Sequence, residues 1–454
     1  MKRILHLSAL LLSVAGLGCS TGVIQGVPPD VPPHGEPEPG KAAPRDPVAE
    51  AHFNGALAEM ARLDKQGGWS AEACDRVAKG FLAAAEMPGD TFDAQAVFNA
   101  GVARERCGQD AEAKELFKLA LTKKGDFHPA RVHLALMRHR ESGGKEIDGA
   151  IADLRQAAIV DARYSNVEGL VALAMLSLER GNDVADTDGA NDRARAVRYL
   201  QSALAVDDDY SPAMNGLALY YLGEARSSSG RRAAKKGMAS GVAALSGGGQ
   251  AMELAALVCS QAIRKDPKDA VIHNTYGLIQ VELGNLGKAA EAFGKARSLR
   301  PGFYEAEMNF AAVNLQFRGF AKAEEAYRAV LRSRADDYDA RVGLALALRG
   351  QISPESPEDL TEKAAKELEK AKVIAPDRPE AYYNEAILTQ EYKARGAGAE
   401  TKKHLERARQ LFGTFLQKAG AAPEYAETVK AAGERILEIK EMERFIDAAP
   451  EGGS

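Results

Sequence analysis

The sequence predicts an all-α fold, an array of about nine helix pairs followed by one further helix. Three observations predict this class. Segments of about 34 residues recur with the same spacing of small residues. Apolar residues inside each segment follow the helical period, and glycines or prolines stand where helices should turn or end. A chain of 454 residues is also too long for one ordinary core, which favours an extended array.

The clearest segment is Ala270–Phe303. Apolar or small residues occur at helical spacing from His273 to Leu283 and again from Leu286 to Leu299. Gly284 lies in the turn between the two runs, and Pro301 ends the second run. The pattern predicts two helices joined by a tight turn.

The same spacing recurs in Ala94–Phe127, where Gly101 and Phe117 correspond to Gly277 and Phe293. Seven more segments complete the predicted array, and all but the first carry inserts or a looser spacing. They are Tyr304–Asp337, Asn54–Asp93, His128–Tyr164, Ser165–Tyr210, Ser211–Asp269, Tyr338–Arg378 and Pro379 to about Ala422.

This helix–turn–helix unit resembles the tetratricopeptide repeat. The resemblance implies a right-handed superhelix over residues 51–422, in which the first helix of each pair lines a concave, protein-binding surface. A helix over 423–448 should cap the last pair, and residues 449–454 should be a disordered tail. The apolar stripe expected to make the capping contact consists of Tyr425, Val429, Ile436, Ile439, Met442 and Phe445.

The N-terminus has the composition of an export signal. Lys2 and Arg3 precede an apolar run, and small residues lead to Cys19, as in a bacterial lipoprotein signal over residues 1–18. Ser20 after the cysteine favours an outer-membrane lipid anchor facing the periplasm, and a plain secretory signal is the alternative. Residues 19–50 are rich in proline, so they are expected to form an extended tether or a disordered tail.

The net charge and the absence of site motifs argue against nucleic-acid binding and catalysis by the predicted array. The net charge of −5 gives no general electrostatic reason to bind nucleic acid. No HExxH, CxxC, GxSxG or complete Walker motif is present. His133 and His139 are six positions apart, on different faces of a helix, so with His128 they do not form a metal site. We therefore expect no enzyme activity, cofactor, metal or small-molecule substrate.

The cysteines divide into three kinds. Cys19 is the predicted lipidation site, and Cys259 occupies a core position of a second helix. Cys74 near the start of one second helix and Cys107 near the end of the next first helix should lie at the same end of antiparallel neighbours. In an oxidising periplasm they are predicted to form a disulfide, and two partly buried free thiols are the alternative.

The predicted partner-binding groove is mainly apolar, which suits an amphipathic helix or an extended apolar peptide. Its residues, taken from the first helices, are Phe98, Val102, Val132, Leu136, Asn215, Leu219, Asn274, Leu278, Met308, Leu315, Leu346, Tyr383 and Ile387. The alternative for each of them is packing against adjacent helices. The insert 223–250 is either a basic protrusion toward an acidic partner or anionic lipid, or a solvated loop.

These features predict a membrane-anchored periplasmic scaffold that binds protein partners of an envelope-spanning complex. Export signal, proline-rich tether and one long array are together similar to the tetratricopeptide lipoproteins of the myxobacterial gliding-motility machinery, which implies motility proteins as partners. Two alternatives are a pilotin-like assembly factor for a secretin or pilus and a docking activator of a peptidoglycan enzyme.

Overall fold

A computed structural model describes residues 46–66, 69–86, 93–159, 166–187, 189–235, 248–353, 359–395 and 399–448. Within these ranges the chain is helical and forms no strand beyond isolated bridge residues, among them the pair Asp186 and Gly189. The all-α class is confirmed. Residues 1–45, with the predicted signal, Cys19 and most of the tether, lie outside the described part, as do 236–247 of the basic insert and the tail.

The helices follow one another in pairs, and we call odd-numbered helices first helices and even-numbered helices second helices. In chain order they are α1 (Pro47–Gln66), α2 (Ala71–Ala85), α3 (Asp93–Arg106), α4 (Asp110–Lys123), α5 (His128–Glu141), α6 (Ile147–Ala158), α7 (Val167–Arg180), α8 (Asp192–Val206), α9 (Ser211–Lys235), α10 (Gly248–Lys265), α11 (Ala270–Glu282), α12 (Leu286–Leu299), α13 (Tyr304–Gln316), α14 (Phe320–Ser333), α15 (Tyr338–Gly350), α16 (Asp359–Ile374), α17 (Glu380–Leu388), α18 (Ala399–Ala419) and α19 (Ala426–Ala448). Helix α1 thus begins four residues before the predicted start of the array.

The helices belong to two compact units. The described part of one comprises 46–279 with 298–301, and that of the other 280–297 with 302–448. In the first unit each helix packs on the next from α1 to α10, and in the second each packs on the next from α13 to α19. First helices of successive pairs also touch, as α5 does with α7 and α13 with α15. This contact buries first helices on more than one side.

Small residues allow the helices to approach closely. A Cβ atom built on Gly101 of α3 would lie 2.7 Å from the ring of Phe117 in α4. The same atom on Gly343 of α15 would lie 2.2 Å from the ring of Tyr327 in α14. Both aromatic rings are fully buried. The recurring glycine and aromatic positions represented by Gly101 and Phe117 are therefore packing partners within a pair, and Gly343 allows the same close approach between successive pairs.

The polar insert between α7 and α8 is held by ion pairs. Asp192 is fully buried, and its carboxylate accepts bonds from Arg180 Nη2 (2.7 Å), Arg195 Nε (2.8 Å) and the Asn182 N–H (2.7 Å). Arg195 also donates to the carbonyl oxygen of Val184 at 3.0 Å. Burial would raise the pKa of Asp192, but its bonds to Arg180, to the backbone and to Arg195 hold it well below its usual range.

Helix α19 packs on α18. Val429, Ile436 and Ile439 of the predicted stripe lie in the contact, as does Tyr425 just before the helix, and only the last two residues of the stripe differ from the prediction. Ile439 is fully buried, whereas Met442 and Phe445 are 39% and 79% exposed. The face continues from Ile439 through Glu443, which pairs with Arg409 at 3.3 Å, to the partly buried Ile446. Residues on one face of a helix are three to four positions apart, as Ile439, Glu443 and Ile446 are. Met442 and Phe445 each precede a residue of this face by one position, so their side chains point away from the contact.

No helix in the described ranges is long and apolar enough to cross a membrane.

Candidate protein-binding surface

The predicted groove residues fall into two classes by burial. Seven of the thirteen are interior, with at most 8% of their surface exposed. They are Phe98, Val102, Val132, Leu136, Asn274, Leu315 and Ile387. Their side chains pack between helices, because a first helix contacts its own second helix and also the neighbouring first helices. The structure therefore corrects the predicted partner contact at these positions: they are core residues.

The other six predicted residues are half-buried and reach the surface in both units. Asn215, Leu219 and Leu278 lie on α9 and α11, and we call them the first patch. Within it Asn215 accepts a hydrogen bond from the Thr275 hydroxyl at 2.6 Å, which leaves the two leucines as its apolar part.

The second patch consists of Met308, Leu346 and Tyr383 on the successive first helices α13, α15 and α17. The Tyr383 ring packs against the buried rings of Phe412 and Phe415, at centroid distances of 5.7 and 5.0 Å. A well-supported aromatic side chain that is still partly exposed is typical of binding surfaces. The two patches are the part of the predicted groove that a partner could contact.

The structure joins Cys74 and Cys107 in a disulfide, with their Cα atoms 6.5 Å apart. Cys74 lies in the first turn of α2, and Cys107 directly follows α3. The bond therefore ties the first helix pair to the second. Cys259 is a free, buried thiol, and burial raises its pKa to about 12, so it is an inert core residue.

A buried histidine joins three successive first helices. His133 of α5 lies with Nδ1 2.7 Å from Glu105 Oε2 of α3 and Nε2 3.3 Å from Glu168 Oε1 of α7. Its ring packs against Phe98 and Phe117. Burial acts to lower the pKa of His133, but the charges and hydrogen bonds of Glu168 and Glu105 outweigh it and raise the pKa to about 9. This role was not predicted from the sequence, because the two carboxylate partners of His133 lie 28 and 35 positions away.

The stability of the first unit should fall as the pH rises from 6.5 through 9. The raised pKa in the folded state means that protonated His133 stabilises fully below its unfolded pKa of about 6.5, and that this contribution disappears above the folded value. We expect the thermal midpoint to decrease across this window. His133→Gln should show a lower midpoint at pH 6.5 and a flatter profile, whereas exposed His52→Gln should keep the wild-type slope. Parallel profiles for wild type and His133→Gln would contradict the assignment.

No family model and no curated protein matches the chain. Several solved structures resemble it. One chain in the structure of the APC/C hetero-tetramer Cut9–Hcn1 is 13% identical, with 85% of this chain and 66% of that chain covered and a TM-score of 0.49. PilF of Pseudomonas aeruginosa is 16% identical, with 58% and 96% covered and a TM-score of 0.40. YrrB, described as a TPR protein with an unusual peptide-binding site, is 14% identical, with 51% and 97% covered and a TM-score of 0.34.

Proposed function

We propose that this protein is a non-catalytic scaffold that binds protein partners of a cell-envelope complex through its first helices. The main support for this proposal is the second patch, where half-buried apolar side chains occur on three successive first helices. A row of this kind suits an extended peptide or an amphipathic helix. The partly exposed leucines of the first patch support the same use in the other unit.

We also propose that the scaffold is anchored to the outer membrane through Cys19 and faces the periplasm. The disulfide between Cys74 and Cys107 supports an exported location, because such bonds persist in oxidising compartments. The export signal and the cysteine that follows it supply the anchor.

Cys19→Ser is expected to move the protein from the membrane fraction to the soluble periplasmic fraction, because lipid chains would no longer attach. Metabolic labelling with a radioactive fatty acid should mark the wild type and leave the variant unlabelled. Equal membrane recovery of both proteins, or labelling of both, would show that another feature holds the protein at the membrane.

The double variant Leu219→Asp with Leu278→Asp is expected to reduce partner recovery about tenfold, because charge in the centre of an apolar interface removes its main contacts. The measurement is affinity purification of the tagged protein from solubilised envelopes, with partners quantified by mass spectrometry. Leu257→Asp is the matched control. Leu257 is a 52%-exposed leucine on α10, a second helix, and this variant should retain wild-type recovery.

The recovered proteins would also identify the complex. Gliding-motility proteins are the expected partners, and a secretin or a peptidoglycan enzyme would instead indicate the pilotin-like or the enzyme-docking role. If the double variant recovers as much as wild type, the first patch is not a binding surface. If no protein is enriched over an unrelated lipoprotein, the scaffold function is wrong.

A further inference from the structure

Helix α9, a first helix, is longer than its neighbours and contains the start of the basic insert. It has 25 residues, whereas the first helices α3, α5 and α7 have 14 each. It begins at Ser211, the first residue of its predicted segment, so the extra turns lie at its C-terminal end. At a rise of about 1.5 Å per residue, the added length is roughly 16 Å. The insert is therefore helical as far as Lys235.

The base of this extension is packed within its own helix pair. Helices α9 and α10 contact each other, and Leu222 and Ala255 belong to one buried cluster. Ala225 is the first residue beyond the usual length of a first helix, and it is buried, as is Ala251 near the start of α10. The extension thus continues a packed helix pair, and it leaves the array at the turn between the two helices.

The sequence of the extension is basic. No aspartate or glutamate occurs between Ala225 and Met252. The same stretch contains five cations, which are Arg226, Arg231, Arg232, Lys235 and Lys236. Since the whole chain has a net charge of −5 and this stretch has +5, the remainder of the chain has −10. The positive charge is therefore concentrated at one place on an acidic protein.

Neighbouring acids do not neutralise this stretch from within. Glu224, the last acid before it, forms an ion pair with Arg193 of α8. Arg231, Arg232 and Lys235 lie within two turns at the end of α9, and like charges at this spacing repel one another. A concentration of cations of this kind attracts an external anionic surface.

The composition distinguishes between the possible anionic surfaces. Apart from its cations, α9 contains only alanine, serine and glycine from Ala225 to Lys235. Protein interfaces usually combine charges with buried aromatic or other large apolar side chains, which this end of the helix lacks. A bilayer with anionic headgroups requires only positive charge, because every lysine or arginine near its surface adds to the attraction. The composition therefore favours lipid over an acidic protein.

We propose that the end of α9 docks on an anionic membrane surface, where Arg231, Arg232 and Lys235 bind the phosphate groups of lipids. The lipid attached at Cys19 would hold the protein within reach of that surface, and the basic helix end would add a second point of contact. This inference rests on the proposed membrane location and is independent of the two partner-binding patches. Charge alone gives reversible binding that washing removes, so Cys19→Ser is still expected to leave the membrane fraction.

The test measures co-sedimentation of the mature protein, residues 19–454 with Cys19→Ser, with lipid vesicles. Binding is expected to vesicles that contain phosphatidylglycerol and not to pure phosphatidylcholine. It should disappear in about 1 M salt, where charges are screened within about 3 Å. Because this form carries no lipid chain, a negative result would contradict the docking element alone, and fatty-acid labelling would still decide the anchor.

The triple variant Arg231→Gln, Arg232→Gln and Lys235→Gln is expected to bind roughly a hundredfold more weakly, since each cation near an anionic surface contributes about a factor of five. The matched control replaces three exposed cations of α19 with glutamine, namely Lys430, Lys440 and Arg444. It removes the same charge elsewhere and should bind within about twofold of the wild type. Equal weakening by both variants would show that only net charge matters and would overturn the assignment to α9.

Hydrogen exchange locates the contact. With phosphatidylglycerol vesicles, the amides of 226–235 should exchange more slowly, and those of α19 should not change. The proposal is overturned by unchanged exchange in α9, by no binding to these vesicles, or by release with inorganic phosphate but not with chloride at equal ionic strength. Retention of soluble polyglutamate without vesicle binding would also overturn it, in favour of an acidic polypeptide.

Discussion

Asp192→Ala is expected to lower the free energy of unfolding by about 3–5 kcal/mol, the range for removing one partner from a buried ion pair. Asp192 is fully buried and lies between Arg180 and Arg195, whose side chains are 17% and 2% exposed. Alanine would leave both guanidinium groups without their shared carboxylate. It would also remove the acceptor for the backbone N–H of Asn182, which fixes the start of the insert.

Asp148→Ala is the matched control for this prediction. Asp148 pairs with the same Arg180, 2.7 Å from its Nη1, but the Asp148 side chain is 81% exposed. An exposed pair contributes about 0–1 kcal/mol, so this variant should be nearly neutral. The measurements are urea denaturation and native-state hydrogen exchange of the amides in α7 and α8. Equal effects of the two substitutions would mean that burial does not determine the strength of this cluster.

Cys107→Ser is expected to destabilise the first two helix pairs by about 3–4 kcal/mol, the loop-closure value for a cross-link spanning about 33 residues. The disulfide restricts the unfolded chain between α2 and the end of α3. Without it the first pair is held to the second by helix packing and by ion pairs such as that between Asp75 of α2 and Arg104 of α3, 2.6 Å apart. Hydrogen exchange in α1 and α2 should therefore increase in the variant.

A reductant separates the cross-link from the substitution itself. Adding dithiothreitol to the wild type should reproduce the loss seen in Cys107→Ser, and adding it to the variant should change nothing further, because Cys259 is unpaired in both. Equal urea midpoints of the wild type with and without reductant would show that the bond contributes no stability. Peptide mapping under non-reducing conditions would give the redox state in each sample.

Local packing in this array could be predicted from the sequence, because successive helix pairs repeat the same packing geometry. Gly101 and Phe117 were expected at the positions that Gly277 and Phe293 occupy in another segment, and the structure packs Gly101 against the Phe117 ring. The relative positions of Cys74 and Cys107 followed from the same alternation of antiparallel helices. Short-range periodicity contains this information, since each contact joins residues within one segment or the next.

The candidate surface could be predicted only in part. Periodicity identifies an apolar face on a helix, but it does not distinguish a face that meets a partner from one that meets a neighbouring first helix. Phe98 and Val132 were interior for this reason, while Leu219 and Leu346 reached the surface. The bridges at His133 depend on which distant side chains converge, and that information requires three-dimensional coordinates.

The position of His133 also has a consequence for how the array unravels. In repeat arrays each unit interacts with its immediate neighbours, so terminal repeats can fray one at a time. If the helix that carries Glu105 or Glu168 frays, the buried imidazolium of His133 loses one of its two carboxylate partners. The positive charge is then only partly balanced, and the remaining ion pair holds the ring less firmly. The second, third and fourth helix pairs are therefore expected to melt as one cooperative block, and this block would set the smallest fragment of the N-terminal unit that folds alone.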